Sequence, residues 1–416
     1  MNQPKNEASS TATDKFTGLI LLAGKDSPGI TEQLYETLAP FSIQILDVEQ
    51  VVIRDRLILT TLIALDPAHA QAIEGDLVKM AENSDLDLAI DFADISTQHY
   101  SKTPEILIAV LSNRFTPSQL AQVAKKIADL GGNIERIQRT ATNPVTAISI
   151  EVSFSTSRDV QKGDLISRLL SELATVARES GLDIAVENNG LIRRAKRIVM
   201  LDMDSTLIQQ EVIDLIADKA GVGPKVAEIT ERAMRGELDF EQSLRERVAL
   251  FAGCDASILE DVRKELILTP GARTLIRTLH KMGHKVGVVS GGFLNVIEDL
   301  LNELHVDFYR ANTLEILNEK ITGNLTGEII DREAKARGLT AFAEREGVSL
   351  AQTVAIGDGA NDLGMIALAG LGIAFNAKPT VVKAADSAIT TPYLDSVLYL
   401  MGISREEVEE ASAELL

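Results

Sequence analysis

The chain has 416 residues, of which 45% are hydrophobic and 25% charged, a composition that excludes a largely disordered or collagen-like protein. Sixty-one acidic residues against 41 basic ones leave a net charge of -20, which opposes any broad surface for nucleic-acid phosphates. The length predicts two to three domains, and the longest apolar stretch, Leu363 to Phe375, is too short to cross a bilayer. We therefore expect no nucleic-acid partner and no membrane span.

The first third of the chain repeats one pattern of elements twice. After a Ser/Thr-rich segment, residues 1–15, which we expect to be a disordered tail, residues 16–98 and residues 103–188 each read as strand, helix, two strands, helix and strand. Such a split βαββαβ unit is an α+β, ferredoxin-like fold with one open sheet face and free edge strands. We expect the two copies to pair with each other or across a homodimer.

The local patterns of these two copies predict particular elements. In the first copy two alternating apolar runs indicate a hairpin that turns near Arg54 and Asp55. The predicted helices of the two copies are Gly29–Leu38, about Ala68–Glu82, Pro117–Leu130 and Lys162–Ser180.

The pattern changes at the basic segment RRAKR, residues 193–197, which we interpret as a solvated domain junction. Over residues 197–416, short apolar runs alternate with helical segments, as in RIVMLD, HKVGVVS, TVAIGD and LGIAFNA. These runs indicate an α/β domain with a Rossmann-like parallel sheet covered by helices on both faces. The polar stretch from about 211 to 268 is too long for a crossover and predicts a small helical cap.

Two carboxylates stand at the end of the first parallel strand. In the motif DMDST, Asp202 and Asp204 are separated by one residue, and ligands bind at this carboxyl edge in open α/β sheets. The motif alone is weak, because Asp202 as a helix cap and Asp204 as a solvated turn residue would give the same letters. The residue types at the ends of the neighbouring strands are needed to distinguish the two interpretations.

Three further segments supply such chemistry. TVAIGD runs into GDGANDLGM, which places Asp358 and Asp362 at another strand end, as hard oxygen ligands that suit Mg2+. HKVGVVS ends in SGG, beginning at Ser290, where a hydroxyl and backbone N–H groups can receive a phosphate, although Gly-Gly is also a common plain turn. Lys335, near the start of a predicted helix, gains a role only from its place in this series.

The ordered series DxDxT, SGG, Lys and GDGxND resembles the haloacid dehalogenase superfamily of phosphohydrolases over residues 198–400, and within it the members that act on O-phospho-L-serine. The resemblance implies that Asp202 is the nucleophile and Asp204 the general acid and base. It also implies Mg2+ bound by the Asp202 carboxylate, the Asp204 carbonyl and Asp358. We therefore expect a magnesium-dependent hydrolase.

The remaining core residues receive their roles from the same resemblance. It implies that Ser290, Gly291 and Lys335 hold the phosphoryl oxygens, and that Asn361 and Asp362 support the site, with Asn361 also near the substrate.

These residue types suit phosphoester hydrolysis on chemical grounds, independently of the family resemblance. A carboxylate nucleophile divides phosphomonoester hydrolysis into transfer to Asp202 and attack of water on the acyl phosphate. The leaving alkoxide needs a proton, so Asp204 must be protonated in the first half and ionised in the second.

Substrate choice is expected to lie in the cap. By the resemblance, Glu211 binds the ammonium and Arg247 the carboxylate of an amino acid head group, while Met234 and Phe240 close the pocket. Arginine grips a carboxylate through two parallel hydrogen bonds, and glutamate complements an amine. Two alternatives stay open. One is a phosphatase or phosphotransferase for another small phosphate ester such as phosphothreonine or phosphohomoserine, and the other is a regulatory amino-acid-binding protein with a vestigial phosphatase site.

The duplicated front units resemble ACT domains, regulatory modules that bind amino acids. The best motif is KDSPGI, in which free N–H groups at a helix start can receive a ligand carboxylate, although the same letters form a good turn and helix cap. The second copy has SNRFTPSQL at this turn and lacks the signature. The candidate ligand residues are Asp26, Ser27, Pro28 and Gly29, and the expected effector is serine.

The single cysteine, Cys254, forms no internal disulfide, which fits a reducing compartment. We expect a cytoplasmic protein.

Overall fold

The computed structural model describes residues 16–94, 105–154, 162–190 and 195–413. The predicted tail, residues 1–15, and the predicted domain boundaries at 98 and 103 lie outside these residues. The chain divides into two compact units, Met1–Ser101 and Lys102–Leu416. No helix among the described residues is long and apolar enough to cross a bilayer.

The first unit is one antiparallel sheet covered by two helices. Its strands are β1 (Phe16–Lys25), β2 (Gln44–Ile53), β3 (Arg56–Ala64) and β4 (Leu86–Asp94), and its helices are α1 (Ile30–Leu38) and α2 (Ala70–Asn83). The strand order is β2-β3-β1-β4, and every residue of the edge strand β2 is exposed. Helix α1 begins one residue later than predicted, because Gly29 takes a left-handed φ of 95° and caps it.

The second copy has the same order of elements. It comprises β5 (Ile106–Ser112), α3 (Pro117–Asp129), β6 (Gly132–Ala141), β7 (Thr146–Phe154), α4 (Lys162–Ser180) and β8 (Asp183–Asn188). Its strands lie in the order β6-β7-β5-β8. The α+β, ferredoxin-like prediction for both copies is confirmed.

The rest of the second unit is the predicted α/β domain. Its strands are β9 (Ile198–Leu201), β10 (Lys285–Phe293), β11 (Phe308–Leu317), β12 (Lys320–Thr326), β13 (Thr353–Gly357), β14 (Leu371–Phe375) and β15 (Ser387–Ile389). Strands β11-β10-β9-β13-β14-β15 are parallel in this order, and β12 adds an antiparallel edge. The central strands are apolar at nearly every position because they are buried on both faces.

Helices cover this sheet and form a cap at its carboxyl edge. The cap helices are α5 (Val212–Lys219), α6 (Gly223–Met234), α7 (Phe240–Ala249) and α8 (Ser257–Glu265). The other helices are α9 (Ala272–Lys281), α10 (Leu294–Glu303), α11 (Arg332–Arg345), α12 (Leu363–Leu368), α13 (Pro379–Val382), α14 (Ser396–Leu400) and α15 (Arg405–Ala413).

The sheets of the second copy and of the α/β domain are continuous, which the sequence did not predict. Strand β8 pairs antiparallel with β15 at Ala185 and Ser387, so all eleven strands form one sheet. The Asp183 carboxylate accepts hydrogen bonds from the backbone N–H and the hydroxyl of Thr390, at 3.0 and 2.8 Å. One edge strand of the second copy, expected to be free for pairing between copies, is therefore occupied within the chain.

The basic junction is also not wholly solvated as predicted. Lys196 is buried, with its Nζ 3.4 Å from a Glu187 carboxylate oxygen and donating to the Ala351 carbonyl at 3.2 Å. The interpretation as a solvated charge was wrong for Lys196, because the second copy packs against the parallel sheet here.

The hairpin β11–β12 holds the loop that follows helix α7 of the cap. The Gly253 and Ala256 N–H groups donate to the carbonyls of Ile321 and Glu319, both at 2.8 Å, and the Ile321 N–H donates to the Cys254 carbonyl at 2.9 Å. Three backbone hydrogen bonds thus join the cap to the parallel sheet.

Candidate active site

The ends of three adjacent parallel strands bring the predicted site together. Strand β9 lies between β10 and β13. Asp202 and Asp358 directly follow β9 and β13, and Ser290 follows the regularly paired part of β10, so the three residues lie at one edge of the sheet. The Asp202 N–H donates to the carbonyl of Ile356 on β13 at 2.9 Å, which continues the ladder one residue beyond β9. The Thr206 hydroxyl donates to Asp358 at 3.2 Å and ties the two strand ends together.

A buried lysine lies between two carboxylates at the base of the site. The Lys335 ammonium is 2.7 Å from Asp202 and 2.7 Å from Asp362, and its side chain is fully buried. Burial lowers the pKa of Lys335, but the two carboxylates outweigh burial and hold this pKa above its ordinary value. Lys335 is therefore a fixed positive charge beside Asp202.

Asp204 is half-buried and differs from Asp202 in its contacts. Burial, and secondly the negative charge of Glu211, raise the pKa of Asp204 well above its ordinary value, which favours the protonated acid. Among the described residues its Oδ1 atom has no hydrogen-bond partner. The chain approaches closely here, because a Cβ on Gly292 would lie 3.0 Å from Asp204 Oδ2.

Three carboxylates gather where a divalent cation would fit. Asp202, Asp358 and Asp362 each offer an oxygen within 4.8 Å of the others. Burial, and then Asp362 and Glu211, raise the pKa of Asp358 to about 6. Burial and Asp362 also raise the pKa of Asp202, against the effect of Lys335. One ammonium thus leaves an excess of buried negative charge, the environment that hard cations such as Mg2+ neutralise.

Asp362 is the least available of these carboxylates. Its Oδ1 accepts from Lys335 at 2.7 Å and its Oδ2 accepts from the Gly359 N–H at 3.0 Å. Because both oxygens are engaged, Asp202 and Asp358 are the carboxylates left for a metal.

The SGG turn closes the site on the β10 side. The Gly292 N–H donates to the Ser290 hydroxyl oxygen at 2.8 Å, and the Gly291 carbonyl accepts from the side-chain amide of Asn312 at 2.8 Å. Ser290 is fully buried, and within β10 the partly buried Gly291 separates it from the buried Gly292 and Phe293.

A cavity of about 600 Å3 lies between the sheet edge and the cap, and Ser290, Lys335 and Asp362 are not among the residues that line it. Its lining from the cap includes Glu211, Arg247, Met234 and Phe240. Its lining from the sheet edge includes Asp202, Asp204, Gly291, Asp358 and Asn361.

The two head-group candidates are held differently. The Ser205 hydroxyl donates to Glu211 at 2.7 Å, and Ser205 itself takes a left-handed φ of 56°. The Arg247 Nε atom donates to the Ser243 carbonyl at 3.2 Å, and within the described residues no carboxylate lies within 4.0 Å of its guanidinium. Burial lowers the pKa of Arg247, opposed by Asp214 and Glu211.

Met234 and Phe240 line the cavity to different degrees. Met234 is 68% exposed, so it lies at the mouth, whereas Phe240 is partly buried against the core.

The predicted regulatory turn lies in the first unit. Asp26, Ser27 and Pro28 are exposed, and Gly29 is the N-cap of helix α1, which has no side-chain cap. At the equivalent turn of the second copy, Thr116 and Gln119 form a reciprocal capping box.

Sequence reasoning missed several residues at this site. Asp214 and Lys378 also line the cavity, and Asn312 and Ser205 bond to Gly291 and Glu211. Asn312 was open to discovery, because it is a polar residue towards the carboxyl end of a parallel strand, where ligand sites form.

Comparison with known proteins agrees with this geometry. Residues 199–367 match the haloacid dehalogenase-like hydrolase family, and residues 17–91 and 106–187 each match an ACT domain. A phosphoserine phosphatase of Streptomyces coelicolor is 50% identical over 408 residues, which are 97% of this chain and 96% of the relative. A phosphoserine phosphatase of Mycobacterium tuberculosis is 46% identical over 404 residues, 96% of either chain.

A solved structure is similar as well. The unliganded crystal structure of a probable phosphoserine phosphatase from Vibrio cholerae matches with a TM-score of 0.56 and 35% identity, over 73% of this chain and 88% of that one.

Proposed function

The chain belongs to the phosphoserine phosphatases among the haloacid dehalogenase-like hydrolases. We propose that it converts O-phospho-L-serine to L-serine and phosphate, the last step of serine biosynthesis, by the following mechanism. A carboxylate oxygen of Asp202 forms a bond to phosphorus while the bond from phosphorus to the serine oxygen breaks. The products of this half are a phosphorylated Asp202 and an alkoxide that needs a proton.

Asp204 supplies that proton. Its raised pKa favours the protonated acid, as the first half requires. Once ionised, Asp204 takes a proton from the water that attacks phospho-Asp202, and both groups return to their starting states.

Lys335 and the SGG turn hold the phosphoryl group. The Lys335 ammonium, 2.7 Å from Asp202, is near enough to neutralise charge on a phosphoryl oxygen attached there. Ser290 and Gly291 offer a hydroxyl and a backbone N–H on the other side. Alignment and charge neutralisation of this kind supply most of the rate in phosphoryl transfer.

Mg2+ is the metal that we propose for this site. Asp202, the backbone carbonyl of Asp204, and Asp358 would hold it, while Asp362 fixes Lys335 and Gly359. When bound, the ion supplies positive charge beside the phosphoryl group.

The cap reads the amino acid head group. We assign the substrate ammonium to Glu211 and its carboxylate to Arg247, whose guanidinium has no carboxylate within 4.0 Å in the described part of the chain. Phe240 and Met234 close the cavity over the ester, and Asn361 lines its floor.

The observation that carries the proposal is that Asp202, with the buried Lys335 ammonium beside it, opens into the same cavity as Glu211 and Arg247. The test is phosphate release from O-phospho-L-serine, phosphothreonine and p-nitrophenyl phosphate, with Mg2+ and then with EDTA. We expect fast, EDTA-sensitive turnover of phosphoserine and weak turnover of the other two. Asp202→Asn should lower turnover at least about 10³-fold. Normal turnover by Asp202→Asn would rule out the mechanism.

The alternative substrates are tested at Arg247. Arg247→Ala should remove the preference for phosphoserine and leave turnover of p-nitrophenyl phosphate within about threefold. Arg245→Ala is the matched control, because Arg245 is exposed on the same helix and pairs with Glu241 at 2.8 Å. If Arg247→Ala keeps the wild-type preference, another ester such as phosphothreonine or phosphohomoserine becomes the better candidate.

We also propose that serine regulates the enzyme through the first ACT domain. Asp26, Ser27 and Pro28 are exposed, and helix α1 follows Gly29 without a side-chain cap, so its first N–H groups are available to a carboxylate. Serine titration of the whole enzyme, read by both calorimetry and turnover, tests this. An absence of binding and of any change in turnover would exclude it.

Two further proposals concern the oligomeric state and the cellular compartment. We propose a homodimer, because the edge strand β2 exposes apolar side chains such as Ile45, Val48 and Val51. Light scattering of the purified protein decides between monomer and dimer. We propose a cytoplasmic enzyme, in which the free Cys254 stays reduced.

A further inference from the structure

The pairing of β10 with β11 is interrupted at the phosphate turn. From Val289 to Phe293 strand β10 advances four residues, while β11 advances two, from Arg310 to Asn312. A bulge of this kind leaves backbone groups without ladder partners, and buried backbone groups need other partners. The Gly291 carbonyl lies in this bulge.

The side chain of Asn312 supplies that partner. Its Nδ2 donates to the Gly291 carbonyl at 2.8 Å, and its Oδ1 accepts from the Ile330 N–H at 2.9 Å. Asn312 is 1% exposed. The amide orientation is fixed by its neighbours, since one partner can only accept and the other can only donate.

The other end of the same peptide is held as well. The Gly292 N–H donates to the Ser290 hydroxyl oxygen at 2.8 Å, so the peptide between Gly291 and Gly292 is bonded at both its carbonyl and its N–H. Glycine has the greatest backbone freedom, and a Gly-Gly peptide therefore needs such restraint to keep one orientation.

Asn312 also joins this turn to the helix that carries Lys335. Ile330 directly precedes Asp331, whose side chain caps α11 by accepting from the Ala334 N–H at 2.8 Å. The Lys335 N–H donates to the Asp331 carbonyl at 2.9 Å. One amide side chain thus connects the two elements that hold the phosphoryl group.

We propose that Asn312 is a positioning residue for phosphoryl transfer: it fixes the Gly291–Gly292 peptide, and with it the phosphate-binding face of the SGG turn, relative to Lys335. This inference rests on the proposed phosphatase function. Misplacement of a reacting group by about 1 Å costs on the order of 10²-fold in rate.

The test compares Asn312→Asp and Asn312→Ala with a matched pair at Asn295. Asn295 makes the same kind of two-sided bond to β11, accepting from the Leu314 N–H at 2.8 Å and donating to the Leu314 carbonyl at 3.3 Å, but it does not touch the SGG turn. We expect Asn312→Ala to lower kcat/KM on the order of 10²-fold. Asn295→Ala should change kcat/KM less than about threefold.

The loss should be the same for O-phospho-L-serine and p-nitrophenyl phosphate, because Asn312 acts on the phosphoryl side and not on the head group. Inorganic phosphate should also inhibit Asn312→Ala more weakly than the wild type. Circular dichroism and the melting temperature identify a variant that fails to fold.

Asn312→Asp gives a readout that a structural role would not produce. A protonated carboxyl has the shape of the amide and can donate to the Gly291 carbonyl, whereas an ionised carboxylate cannot. Relative to the wild type, kcat/KM of Asn312→Asp should therefore fall as pH rises from 5 to 9. Relative to the wild type, Asn312→Ala should show no added pH dependence.

The outcomes separate the inference from the proposed function. Lack of phosphatase activity in the wild type overturns the proposed function. If the wild type is active, equal effects at Asn312 and Asn295, or an Asn312→Asp variant with the wild-type pH profile, overturn the role of Asn312.

Discussion

The two ACT domains share their order of elements and differ in their helix caps and in the pairing of their edge strands. In the first, helix α1 begins after Gly29 without a side-chain cap, and β2 is exposed along its length. In the second, Thr116 and Gln119 cap α3 themselves, and β8 continues into the phosphatase sheet. The copies have therefore diverged: the first keeps an uncapped helix start and an exposed edge strand, and the second shares a sheet with the α/β domain.

Deletion gives the largest expected difference between the copies. Removal of residues 1–101, a compact unit by itself, should leave kcat within about twofold and abolish any serine response. Removal of residues 1–190 strips β8 from β15 and should lower the melting temperature by about 10 °C, since each kcal/mol corresponds to roughly 2–4 °C at this size. Turnover and calorimetric scans of both fragments are the measurement. Equal melting temperatures of the two fragments would mean that the second copy does not stabilise the α/β domain.

The buried junction gives the next effect. Lys196→Ala removes a buried ammonium next to Glu187 and should lower the free energy of unfolding by about 3 kcal/mol. Lys126→Ala is the control, because Lys126 pairs with Glu172 on the surface of the second ACT domain and such pairs contribute about 0–1 kcal/mol. Urea unfolding followed by circular dichroism measures both. Similar losses of unfolding free energy in the two variants would mean that the buried Lys196 does not hold the second copy against the parallel sheet.

Metal binding should distinguish the catalytic unit by its pH dependence. The pKa of Asp358 is raised to about 6, so in the metal-free protein the stabilisation from its proton is lost as pH rises from about 4 through 6. Mg2+ needs the ionised form and should stabilise the protein increasingly over this range, by about 1.4 kcal/mol per pH unit for one displaced proton. Melting temperatures with Mg2+ and with EDTA at pH 4.5 to 7.5 test this. In Asp358→Asn this pH dependence should disappear; persistence would assign it to other groups.

The helix starts should give the smallest and most specific effects. Gly29→Ala places a side chain at a φ of 95° and should cost about 1 kcal/mol and weaken the serine response. Thr116→Ala removes a helix cap at a similar cost of about 1 kcal/mol, without a change in the serine response. Serine titrations at matched stability separate the two, and a response altered by Thr116→Ala alone would reverse the assignment.

Local patterns were enough to predict the elements of both ACT copies and the parallel strands, because alternating and continuous apolar runs depend on burial alone. The proposed roles of Asp202, Lys335 and Asp358 came from a motif series, which supplied the long-range information that local patterns lack. The pairing of β8 with β15 had no signal, since Ala185 and Ser387 are ordinary strand residues far apart in the chain. Asn312 was missed because it stands in none of the motifs and its partners are backbone groups; the signal available was its polar type towards the carboxyl end of a parallel strand.

The continuous sheet also bears on aggregation. An exposed parallel strand presents unpaired N–H and C=O groups that recruit other chains. Here, within the described residues, the strands at the two ends of the sheet are β12 and β6, both from antiparallel hairpins, and β6 carries Arg136 and Arg139. The short β15 is covered by β8, so the second ACT domain protects a strand edge that could otherwise pair with other chains and cause aggregation.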